Sequence, residues 1–140
     1  MHVWLVLWKA AQAVEAYAKG SIEHLELCGS DFAVLEALLH KGPLPVGDIG
    51  RKVLLTSGSI TVAVDRLEAK GLVERRASAD DRRARIVHLT KEGRKLITRA
   101  YAGHAADMEQ LASELSAAER ATLIRLLKRI GFKAVAASKQ

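Results

Sequence analysis

In Gly71-Leu72-Val73-Glu74-Arg75-Arg76 and Arg85-Ile86-Val87-His88-Leu89 the spacing of apolar residues changes. Upstream of Gly71 they recur at the helical period; from Leu72 they alternate, the period of a strand. Two short strands therefore flank a polar loop that carries Asp80-Asp81-Arg82-Arg83, a β-hairpin with a long basic tip. Immediately before it stand two short helical patterns. Behind Pro45, the residues Val46, Ile49 and Val53 fall at i, i+3 and i+7, enough for a short helix with three core contacts. Leu54-Leu55 then leads into Thr56-Ser57-Gly58-Ser59, a hydroxyl cluster suited to capping the orphan amides of a new helix. In that helix Ile60, Val64 and Leu67 share one face, and Gly71 is placed to stop it.

Working outward, Val3 to about Leu27 reads as one long helix with a wide apolar face that includes Trp4, Leu7, Trp8, Val14 and Tyr17. Gly29-Ser30 breaks it and supplies an N-cap for a second helix built on Phe32, Leu35, Leu38 and Leu39, which Gly42-Pro43 ends. On the other side of the hairpin, Thr90 caps a helix whose residues Ile97, Tyr101, His104, Met108 and Leu111 step by four and three, the spacing of a seam that wants a partner helix. Ser116-Ala117-Ala118-Glu119 is a capping box opening a last helix with Leu123, Leu127, Ile130 and Ala134 on one side. The expected order is α-α-α-α-β-β-α-α: a mainly α fold with a small β-hairpin. Residues 1–140 form a single winged helix-turn-helix domain, with a lobe at 30–90, the helix-turn-helix at about 45–71 and the wing at about 72–90.

The 140 residues suffice to bury a core without staples, and with half of them apolar but only six aromatic the composition favours helices. One cysteine, Cys28, allows no internal disulfide and fits a reducing, cytoplasmic setting. The opening apolar run has no Lys or Arg before it and reads as helix, not as a leader, and no run reaches a membrane span. Net charge is +6, and the whole surplus lies between Arg75 and Arg99, where nine basic residues face three acidic ones. Charge runs are usually solvated faces, but a surplus so confined is the electrostatic footprint expected for phosphates.

A helix-turn-helix followed by a basic hairpin is how a winged helix meets duplex DNA. On the fourth helix, Gly58, Val62, Asp65, Arg66 and Ala69 project away from the buried face, with Ser57, Ser59 and Thr61 at its entry and flanks. Short side chains let such a helix enter the major groove, where Ser and Thr bond base edges, Val62 meets a thymine methyl and Arg66 reaches phosphate or guanine. At the hairpin, Arg82, Arg83 and Arg85 are suited to a narrow minor groove, and Asp81 is read as orienting a neighbouring Arg by a charge-assisted bond.

Taken together, Ser30-Asp31-Phe32-Ala33-Val34-Leu35, Leu55-Thr56-Ser57-Gly58-Ser59-Ile60-Thr61, Asp65-Arg66-Leu67-Glu68 with Lys70-Gly71-Leu72-Val73, and Asp81-Arg82-Arg83-Ala84 leading to Leu89-Thr90 and Gly93 resemble the MarR family of winged-helix regulators over nearly the whole chain. One departure is Gly47 and Gly50 in the third helix, where better helix formers are usual. The resemblance implies a homodimer joined by helices of 1–28 and 91–140, a palindromic operator, and a repressor released by a small molecule or an oxidant. It also implies that Arg83 is the minor-groove arginine and Asp81 its partner.

Other constellations carry less. Trp4, Trp8, Tyr17 and His24 either line a pocket for a small aromatic effector or pack a dimer core, and packing is the favoured reading. Cys28 is read as a small buried hydrophobe rather than a redox sensor. The histidines show no metal spacing, no nucleophile elbow or phosphate loop is present, and no enzyme activity or cofactor is called for. A winged domain that binds protein is the rival reading, and salt dependence separates the two.

Overall fold

The computed structural model describes residues 1–53 and 57–138. Helix α1, His2–Ile22, continues into a turn of 3-10 helix, Glu23–Leu25, and stops where Glu26 takes the left-handed conformation at φ 54°. The long first helix is thus shorter than its apolar pattern, because a non-glycine residue adopts the turn. Helix α2, Gly29–Lys41, starts one residue before the expected cap: Cys28 stands at the N-cap without a capping bond from its side chain, and Ser30 lies inside the first turn. Gly42, at φ 76°, closes α2 by donating its N–H to Leu38 O.

Strand β1, Leu44–Pro45, precedes α3, Val46–Val53. The hairpin reading misses this third strand, since two residues are too few for alternation to show. It pairs antiparallel with β3, Arg85–Leu89, through Leu44 opposite Val87 and Pro45 opposite Ile86, and a proline is tolerated there because the strand is an edge. Strand β2, Val73–Ala77, flanks β3 on the other side with Val73 opposite Leu89, so the sheet order is β1-β3-β2.

Helix α4 runs Ser57–Ala69, and Ile60, Ala63, Val64 and Leu67 are buried. The proposed cap at Thr56 and the Leu54-Leu55 lead-in lie outside the described residues. The far end of α4 is a Schellman motif. Leu72 N–H donates to Leu67 O and Gly71 N–H to Glu68 O, with Gly71 at φ 70°. The sequence reading of this stop is therefore matched in geometry.

Thr90 fastens the hairpin base to α4. Its N–H donates to Leu72 O, its hydroxyl donates to Gly71 O at 2.7 Å, and the same oxygen accepts Gly93 N–H at the start of α5, Lys91–Ala112. A Cβ at Gly93 would lie 1.8 Å from Leu72 O, so only glycine fits this approach.

The lobe core gathers Phe32, Leu35 and Leu38 of α2 with Ile49, Ile60, Leu67, Val73 and Val87. Ile97 belongs to it as well and is fully buried. This corrects the seam read along α5. Ile97 is a core residue, Tyr101 meets His40 edge-on at 4.5 Å, and His104 meets Phe32 at 4.9 Å and Ser21 Oγ at 2.6 Å. Three of the five residues of the stripe are thus engaged within the chain itself.

The chain divides into two compact units, Met1–Ala105 and Ala106–Gln140. In the second, Ser116 and Glu119 form the expected capping box of α6, Ala117–Ala137, whose Leu123, Leu126, Leu127 and Ile130 are exposed at i, i+3, i+4 and i+7. In the first, α1 exposes Val3, Trp4, Val6, Trp8, Val14 and Tyr17. No described helix is long and apolar enough to cross a membrane.

Candidate nucleic-acid interface

With its inner face packed in the core, α4 turns Gly58, Ser59, Thr61, Val62, Asp65 and Ala69 outward, and Val62 is 52% exposed. Ser57 is the first residue of this helix. The small, polar outer face predicted from spacing is therefore present.

The wing tip is shaped through its backbone. Ser78 Oγ accepts the N–H groups of Asp80 and Asp81, Ser78 N–H donates to Ala84 O, and Ala84 N–H donates to Asp81 O. Residues 81–84 make a hydrogen-bonded turn with Arg82 and Arg83 at its apex. Asp81 does order an arginine, but not by the predicted route: Oδ1 accepts the backbone N–H of Arg83 at 2.8 Å, an Asx turn, and leaves the guanidinium unbound. Arg82, Arg83 and Arg85 are exposed, and among the described residues their guanidinium groups have no partner.

Two other cations of the basic segment are committed within the chain itself. Arg75 reaches from β2 to Asp65 and to Glu68 of α4, at 2.5 Å to the latter, while its own N–H donates to the other Glu68 oxygen at 3.1 Å. Burial opposes its charge, yet the hydrogen bonds to Asp65 and Glu68 outweigh that and raise its pKa. Arg76 pairs with Glu74. The count of nine basic residues overstates what faces a partner, since Arg75 acts as a latch between wing and helix.

Arg66 also departs from expectation. Its guanidinium forks onto the carboxylate of Asp31, with Nη2 at 2.6 Å and Nε at 3.1 Å from Oδ1, and Nη2 meets Ser30 Oγ and Cys28 Sγ. Asp31, only 1% exposed, holds the Arg66 pKa above its ordinary value. A buried carboxylate needs this cation, so it is drawn to α2 rather than left extended toward phosphate. One signal could have found the pair: Asp31 shares the apolar face of α2 with Leu35 and Leu38 at i, i+4 and i+7, and a charge on such a face demands a partner.

Cys28 is exposed, its Sγ 3.1 Å from Ser30 Oγ, which corrects the buried reading. Trp4, Trp8, Tyr17 and His24 are exposed on α1 and the turn after it. None of the four lines the cavity of about 530 Å³ between α1 and α2, whose walls include Lys19, Ile22, Cys28, Phe32, Glu36 and His104.

A helix-turn-helix lobe bearing a basic three-stranded wing is a winged helix protein. Residues 27–84 match the model described as MarR family. The chain is 39% identical to the HTH-type transcriptional regulator MhqR of Bacillus subtilis over 96% of its own length and 92% of that protein. It is similar in fold to BpsR of Bordetella bronchiseptica, a structure described for the regulation of DNA binding by 6-hydroxynicotinic acid, at 26% identity and a TM-score of 0.83 over 92% of each chain. It also shares its fold with a mutant MarR from E. coli complexed with operator DNA, at 24% identity and a TM-score of 0.84 over 93% and 94% of the two chains. The chain belongs to the MarR family of DNA-binding transcriptional regulators.

Proposed function

We propose that the protein is a repressor that binds a palindromic operator as a homodimer and is released by a small molecule. The observation that carries the DNA contact is the pairing of an outward α4 face of Ser59, Thr61 and Val62 with unbound Arg82 and Arg83 at an ordered wing tip. Small side chains on α4 suit direct reading of base edges in the major groove, and Arg83 suits the minor groove beside it. Exposed apolar stripes on α1 and α6 support a second copy as partner, since an isolated protomer rarely shows so much apolar surface. The cavity between α1 and α2 offers the effector mixed walls: Phe32 and Ile22 for a ring, Lys19, Glu36 and His104 for its polar edge. Action by binding, without catalysis, agrees with the naming of its relatives as regulators.

Anisotropy on the duplex upstream of its own gene tests the wing. Arg83→Ala should keep the fold and weaken binding, and the slope of log affinity against log salt should fall by about 0.9, one phosphate-level cation. Unchanged affinity and slope would remove Arg83 from the interface. Binding that ignores salt in the wild type would favour the protein-binding alternative.

A further inference from the structure

Two cations four residues apart, Arg66 near the end of α4 and Lys70 in the turn just after it, share one destination. Arg66 reaches Asp31, Ser30 and Cys28, and Lys70 donates to Glu26 O at 2.7 Å. Everything they hold lies in residues 26–31, which comprise the turn after α1 and the first turn of α2. That stretch is itself constrained, entered through the left-handed Glu26 and closed by the buried Asp31. The outer face of α4, by contrast, presents no long cation along Ser59, Thr61 and Val62.

We propose that residues 26–31 are the seat of the recognition helix, and that Arg66 and Lys70 are positioning residues that fix how α4 is presented to DNA. On this arrangement neither cation neutralises a phosphate. Arg66 has its shortest bonds on a carboxylate that cannot be left unpaired, and withdrawing it to serve DNA would strand Asp31. The seat also forms part of a cavity wall through Cys28, Gly29 and Ser30, so whatever fills that cavity touches the groups that hold α4.

The inference rests on the DNA-binding reading, and its test separates the two. Operator affinity is measured by anisotropy across a salt series for wild type, Arg66→Gln, Asp31→Asn, the double variant and Lys70→Met, each checked for folding by thermal melt. A wild type without affinity for duplex at any salt fails the DNA-binding reading itself. Given wild-type binding, Arg66→Gln and Asp31→Asn should each weaken affinity roughly tenfold to a hundredfold, the loss expected when a base contact is misplaced. Their salt slopes should stay at the wild-type value, and the double variant should be no worse than the weaker single. A slope that drops by about 0.9 in Arg66→Gln, with Asp31→Asn near wild type, would make Arg66 a phosphate contact and overturn the proposal. Folded variants with wild-type affinity would overturn it equally. Should the Arg66 and Asp31 variants not fold, Lys70→Met decides: its partner is a backbone carbonyl on the surface, and it should lose affinity several-fold with no change of slope, whereas wild-type affinity or a reduced slope overturns the proposal.

Discussion

Single side chains in this lobe are specified by what stands opposite them more than by their own chemistry. Gly93 is the sharpest case: any side chain there runs into Leu72 O, and neither backbone can retreat while Thr90 holds both. Gly93→Ala should cost roughly 3 kcal/mol, the upper end of overpacking penalties, read as a lowered midpoint in urea unfolding with an unchanged m-value. A midpoint equal to wild type would mean that the base of the wing is far softer than its hydrogen bonds imply. The Arg66 and Asp31 pair illustrates the same logic with charge. The two residues are 35 positions apart, so spacing can show that Asp31 needs a partner but not that the partner is Arg66, which by residue type alone reads as a DNA contact. Asp81 was assigned to the correct arginine through the wrong atom, because the residue type does not distinguish a bond to a guanidinium from one to a backbone amide.

Elements were legible in proportion to how locally their signals act. The change of period at Gly71, the two hairpin strands, the glycine stop of α4 and the capping box of α6 all depend on residues within one or two turns, and each is found within a residue of where spacing placed it. Strand β1 depends on β3, with Leu44 paired to Val87 and Pro45 to Ile86 far along the chain, and gives no periodic signal. The α1 boundary was displaced because the apolar stripe continues through a turn that is not helical. The capping box also makes a prediction in pH. Bonds from the Ser116 hydroxyl and backbone N–H hold the Glu119 carboxyl below its ordinary 4.5. A carboxylate depressed in the folded state stabilises α6 at neutral pH, and the contribution is lost as pH falls through the folded pKa, below 4.5. Amide exchange at the first turn of α6 should therefore be slower in wild type than in Glu119→Ala at neutral pH, and the gap should close in acid. A gap independent of pH would assign the protection to packing alone.

At the scale of the whole molecule, the corrected α5 stripe separates folding from association. Ile97 is sealed in the lobe, whereas Leu127 on α6 is exposed. Ile97→Glu should bury an unpaired charge and unfold the lobe, at a cost on the order of 4 kcal/mol or more. Leu127→Glu should instead leave the thermal melt of the lobe intact and give a monomer in sedimentation, with operator affinity lost because only one half-site is engaged. Retention of the dimer in Leu127→Glu would move the interface elsewhere, and a monomeric wild type would sink the homodimer. Composition alone could not draw this distinction, since both residues occupy apolar helical stripes and differ only in what their own chain places against them.

The latch by which Arg75 ties β2 to Asp65 and Glu68 has a metric consequence. With the hairpin also pinned at Thr90, the wing tip and the outer face of α4 behave as the two jaws of a calliper set to one opening. Successive bases along a strand are about 3.4 Å apart, so, with α4 and Arg83 on DNA as proposed, adding or removing one between the bases facing α4 and the minor-groove step facing Arg83 should change the gauge length by more than side-chain motion restores. On the proposed mode of binding, then, the protein measures distance as well as letters within a half-site, and an operator with the right bases at the wrong interval is a wrong operator.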